Sequence, residues 1–176
     1  MLSESTLPHV IQELVKIRAS QISGCGFCTD MHTKDAAHAD ETVQRLNLVT
    51  TWREATVFTE IERVALELAE QGTSIADAAG GVTDEAWANA AKHFDEVQPV
   101  ALLSLIVVIN AYNRIIVINQ QPAGDYQPGQ FGQLAPAQLG HAGSVSAPPR
   151  HTARDGPPAS PWLTIHGGPV REDTRV

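Results

Sequence analysis

Two cysteines, a histidine and a glutamate are the residues of this sequence whose types and spacing could do chemistry together. In "SGCGFCTDMHTKD", Ser23 to Asp35, Cys25 and Cys28 stand three apart, and His32 follows four residues after the second. The chain has no other cysteine. Ser23-Gly24 reads as a helix start with Ser23 as the cap, which puts Cys25 in the first turn. At about 100° per residue, Cys28 lies about 60° from Cys25 with His32 between them, so the three side chains share a face. A free thiol with a pKa of about 8.5 is mostly protonated at neutral pH, and the thiolate is its reactive form. The unpaired N–H groups of a helix start favour thiolate, and a histidine one turn on can take the thiol proton. Two cysteines one turn apart can also approach to disulfide distance, so the pair can cycle between dithiol and disulfide.

Two plainer readings stand beside this one. A structural zinc site needs four ligands, but only Cys25, Cys28 and His32 have usable spacing, and His38 points off the face. The cysteines could also be ordinary core residues, since Cys packs well in apolar interiors. The histidine and the glycine before the pair favour redox chemistry.

Glu13 is the fourth candidate. Val10 precedes it by three residues and Ile17 follows by four, so it sits on or beside the apolar stripe of its helix. A carboxylate there must be paired or raised in pKa. A raised-pKa carboxylate near a histidine would make a proton relay. Periodicity alone equally allows an edge carboxylate that reaches water.

These residues need helices to position them. Apolar spacing predicts a helix over about Leu7–Ile22. Thr59 and Glu62 form a capping box opening "IERVALELAEQG", which Gly72 is expected to close. Thr83 can cap the next helix, with Asp84 and Glu85 in its first turn. A last long helix starts near Pro99, which is tolerated in a first turn. No segment alternates as a strand does, so the expected class is all-α, a helical bundle. The run from Val100 to Ile118 is 19 residues long and mostly apolar, close to a membrane span. Ser104, Asn110, Asn113 and Arg114 interrupt it, so a core or subunit-interface helix is the better reading, and no membrane is expected.

The chain has 176 residues, enough for one domain with a core, and a formal net charge of -8, which argues against nucleic acid as a partner. Residues 1–119 hold 16 acidic and 8 basic residues, whereas 120–176 hold 4 of each and nine of the eleven prolines. The expected organisation is a core over 1–129 and a disordered Pro/Gly-rich tail over 130–176. Residues 120–129 are expected to strap onto the core. "MLSESTLPHV" has neither a basic n-region nor an apolar h-region, so no export and a cytoplasmic location are expected, where thiols stay reduced.

"ELVKIRASQISGCGFCTDMHTKDA" and "WREATVFTEIERVALELAE" together resemble the alkylhydroperoxidase D-like, carboxymuconolactone decarboxylase family. The resemblance runs from about Leu7 to Gly129 and includes "NAYNRI" and "GDYQPG". It matches Glu13, Cys25, Cys28 and His32 to the family signature. It implies an all-helical protomer in homo-trimers or homo-hexamers with sites near subunit contacts. It also implies a thiol peroxidase that reduces hydroperoxides. In that scheme Cys28 is peroxidatic, Cys25 resolves, and Glu13 and His32 relay protons. Electrons come from an external dithiol, lipoyl- or thioredoxin-like, and no metal, haem or flavin cofactor is needed. Phe27 stands where the best-known member carries a further histidine. The decarboxylase branch lacks the cysteine pair, so that activity is not carried over. The alternative is a redox sensor or interaction module using the same thiols as a switch.

Overall fold

The computed structural model describes residues 6–77 and 80–131. Six α-helices run in order: α1 His9–Ile22, α2 Gly26–His38, α3 Val43–Leu48, α4 Glu60–Thr73, α5 Asp84–His93 and α6 Gln98–Ile118. Short 3-10 turns follow α3 and α4, and no strand occurs among the described residues. The class is all-α, as expected. Apart from Gln130 and Phe131, the expected tail lies outside the described residues.

Helix α1 is the centre of the bundle because it is apolar on two sides. Ile11 and Val15 enter one core with Val64 and Leu68 of α4, Ala86 and Ala90 of α5, and Leu102, Leu105 and Ile106 of α6. Leu14 and Ile17 enter a second core with Ala36 of α2, Leu46 of α3, and Val49, Trp52, Phe58 and Leu66. Each fully buried Leu or Ile is worth about 1.5–3 kcal/mol in removal from water. Glu13 lies beyond the Ile17 edge of the second stripe, where α2 covers it and His32 meets it, and it is buried there.

The expected caps of α4 and α5 are present: Thr59 and Glu62 complete a capping box, and the Thr83 side chain accepts from Ala86 N–H. Pro99 lies in the first turn of α6. Gly72 does not close α4, which continues to Thr73. A Cβ there would stand 3.1 Å from Ile106 Cγ2, so the glycine permits close approach of α4 and α6. One face of α6, with Leu102, Leu105, Ile109 and Asn113, is buried. Val100, Leu103, Val107, Ile115 and Ile118 are exposed on the rest of the helix. Helix α6 is also long and apolar enough to cross a membrane, by length and composition.

The start of α2 differs from the expectation. Ser23 does not cap it; Ser23 is the C-cap of α1, and Gly24 follows with φ +66°. Gly24 N–H donates to Gln21 O, and Cys25 N–H donates to Ser20 O. This is the left-handed glycine stop of a helix, open to glycine because a side chain there costs about 1–2 kcal/mol. Cys25 itself is the N-cap of α2, in extended conformation. One residue thus ends one helix's hydrogen bonding and begins the next, which fixes the backbone of Cys25 from both sides.

Candidate functional site

Cys25 and Cys28 are joined as a disulfide, with their Cα atoms 5.4 Å apart. Both residues are 1% exposed, so Cys25 is not the more exposed of the two. Cys25 is the cap, and its Sγ accepts the Cys28 N–H at 3.3 Å. The anion-favouring end of α2 therefore acts first on Cys25, a consequence of Gly24 moving the helix start forward by two residues. Cys28 sits within the first turn, and His32 is buried one turn beyond it.

Glu13 and His32 come together from α1 and α2. His32 Nδ1 lies 3.0 Å from Glu13 Oε2, and Lys16 Nζ donates to Glu13 Oε1 at 2.7 Å. Glu13 is 4% exposed, so it is not an edge carboxylate reaching water. Nor is its pKa raised. Burial pushes it up, but the His32 hydrogen bond and the Lys16 charge outweigh burial and hold it below the usual 4.5. An ionised Glu13 accepts the His32 Nδ1 proton, which leaves Nε2 as the nitrogen able to exchange one.

Cys28, His32 and Lys16 line a cavity of about 430 Å³, with Phe27, Met31, Ile109, Tyr112 and Phe131 as much of its apolar wall. Cys25 lines a different, more open depression of about 560 Å³ with Ser20, Gln21, Thr29, Asp30 and Lys34. Phe27 meets Tyr126 edge-on and packs against Phe131, while Tyr126 and Phe131 stack at 5.6 Å. The wall is held by the segment after α6. Lys34 Nζ donates to Gly124 O and Tyr126 O, Gly124 N–H donates to Asp30, and Tyr126 OH donates to Asp35 at 2.8 Å. This is the strap expected over 120–129, and ring contacts extend it to Phe131. Burial and the Asp35 carboxylate push the Tyr126 phenol up to about 12.

All four sequence candidates thus converge on the start of α2. Lys16, Tyr126, Asp35 and Phe131 went unnoticed. Lys16 had a local signal, since it lies three residues after Glu13 and faces the same side. Tyr126–Asp35 and Phe27–Phe131 join positions about a hundred residues apart and had none. Among the described residues, no group of three or more His, Cys, Asp or Glu is gathered to hold a metal ion.

Comparison with known proteins gives the family and the fold. Residues 1–71 match the model of the carboxymuconolactone decarboxylase family. The chain is 41% identical over 114 residues to YdfG of Bacillus subtilis, covering 65% of this chain and 76% of YdfG. It is 32% identical over 106 residues to YnjA of Escherichia coli, covering 60% of this chain and 57% of YnjA. An Agrobacterium tumefaciens protein of unknown function, suggested to be the antioxidant defence protein AhpD, superposes with TM-score 0.67 at 37% identity, over 71% of this chain and 84% of that one. The debrominase Bmp8 shares the fold, with TM-score 0.60 at 17% identity over 68% of this chain and 62% of its own. Signature residues, helical architecture and these similarities converge: the chain belongs to the carboxymuconolactone decarboxylase family, with the all-α fold of its AhpD-like members.

Proposed function

We propose that this protein is a thiol-dependent peroxidase. The observation that carries the reading is the convergence of a Cys25–Cys28 disulfide with a buried His32–Glu13 pair, Cys28 and His32 facing one apolar cavity. In the reduced protein, Cys28 thiolate attacks the terminal peroxide oxygen. The O–O bond breaks, Cys28 becomes a sulfenic acid, and the alkoxide takes a proton from the His32 side. Cys25 thiolate then attacks the Cys28 sulfur; the S–O bond breaks and the hydroxyl leaves as water with a second proton. An external dithiol, lipoyl- or thioredoxin-like, returns two electrons by exchange, regenerating both thiols. The lining suits a hydroperoxide with an apolar substituent.

The Cys25 depression, open and edged by Thr29, Asp30 and Lys34, suits the approach of the reductant. The cycle suits a cytoplasmic setting, where dithiol donors are kept reduced. We further propose that the exposed apolar side chains of α6 pack against other copies in a homo-trimer or homo-hexamer, because a contiguous apolar face of this kind marks an association surface.

Burial of both sulfurs favours one other reading, a redox switch that oxidises once and is re-reduced slowly. Stopped-flow consumption of an organic hydroperoxide with excess dihydrolipoamide or reduced thioredoxin separates the two. The peroxidase reading expects many turnovers per chain; a single stoichiometric oxidation with either donor overturns it in favour of the switch.

A further inference from the structure

Glu13 gives one carboxylate oxygen to His32 and the other to Lys16, at 3.0 and 2.7 Å. We propose that Lys16 is a positioning residue for Cys28: by pairing with the second oxygen it keeps Glu13 ionised and oriented, so that His32 carries its proton on Nδ1 and keeps Nε2 as a base. The role in turnover rests on the peroxidase reading above.

Lys16 is not a surface partner. Its side chain is 18% exposed and lines the same cavity as Cys28 and His32. The other groups facing Glu13 do not replace it. On α1, His9 Nε2 is 3.7 Å from Glu13 Oε1, and its side chain is 60% exposed. From α2 and the turn beyond come His32, Asp40 and Glu41, the last two sharing a second depression with Glu13. Tyr112 of α6 shares the cavity, and the Tyr126 phenol feels the Glu13 charge. Asp40 brings a negative charge to that depression, whereas the Glu41 carboxylate is paired with Arg45. Without Lys16, the Asp40 charge and the bare Glu13 carboxylate favour a second proton on the Glu13–His32 pair. His32 then stops accepting the Cys28 proton until the pH is higher.

Alkylation of Cys28 by neutral iodoacetamide, followed by mass spectrometry across pH in the reduced full-length protein, tests this. In Lys16→Met and Lys16→Gln the acid limb of the rate profile should move up by about one pH unit. On that limb the rate should fall about tenfold, with the alkaline plateau retained. Lys16→Arg should restore the limb. A uniform loss at every pH, an unmoved limb in both charge-removing variants, or failure of Lys16→Arg to restore it overturns the proposal. No peroxide enters the assay. A shifted limb in a protein that does not turn over peroxide therefore supports the Lys16 assignment while removing the peroxidase reading.

Discussion

At the junction of α1 and α2 the chain buries charge and satisfies it; along the outer side of α6 it exposes apolar surface and leaves it open. Glu13, Lys16 and His32 form ion pairs within one protomer, and the helix turn beside them is closed by Gly24 and Cys25. On α6, Val100, Leu103, Val107 and Ile118 face outward without a described apolar partner core. A buried carboxylate is tolerated only when its partners are already in place. An apolar helix face is tolerated in isolation but gains from a neighbour. On the proposed reading, the first region serves chemistry within one chain and the second serves association between chains.

The inner region breaks most sharply at Cys28. Cys28→Ser should abolish peroxide consumption, measured with excess dithiol, because Cys28 and not Cys25 lines the cavity that His32 faces. Glu13→Gln comes next. It keeps the shape, removes the carboxylate charge that faces both Lys16 and His32, and should slow Cys28 oxidation by roughly 10²–10⁴ at neutral pH, the usual worth of a positioned acid–base group. Its stability counterpart has a definite sign. The folded carboxyl is held below 4.5, so the contribution of Glu13 is present above that value and is lost as pH falls through the lower folded value. Acid unfolding of Glu13→Gln should lack this part of the pH dependence.

The outer region is probed by Val107→Glu. The residue is 59% exposed, so the substitution should leave helix content unchanged while weakening self-association at least about tenfold in sedimentation velocity. A smaller effect belongs to the strap. Tyr126→Phe removes the hydrogen bond to Asp35 and should cost about 1–2 kcal/mol in denaturant unfolding. The phenol is pushed up to about 12 in the folded protein, so its contribution holds below the ordinary value of 10.0 and fades as pH rises toward 12. The variant should lose that alkaline dependence.

Much of this was legible in the sequence because it is local. The Thr59–Glu62 box, the Thr83 cap and the Pro99 helix start each lie within one turn of the residues they act on. Cys28 and His32, both inside α2, share a cavity as helix geometry predicts, whereas Cys25, the extended N-cap, does not share their face and lines a different depression. Ser23 misled because Ser is a good cap, but Gly24 can adopt the positive φ that stops α1, and that stop outranked the cap. Gly72 misled in the reverse sense: packing against Ile106 kept it helical. The charge state of Glu13 is open in the sequence, which allows a paired or a raised-pKa carboxylate, because compensation depends on a lysine rotamer and an approach by α2. The strap's rings and the cavity wall are long-range contacts, which no local pattern encodes.

The central claim is that Cys28, beside His32 and Glu13, is the sulfur that peroxide oxidises. Cys25→Ser treated with one equivalent of hydroperoxide and then dimedone, with the adduct located by peptide mass spectrometry, tests it directly. The expected result is one adduct per chain on Cys28, formed at a rate close to that of the unaltered protein. No adduct on Cys28, together with a sulfenic acid trapped on Cys25 in Cys28→Ser, would contradict it.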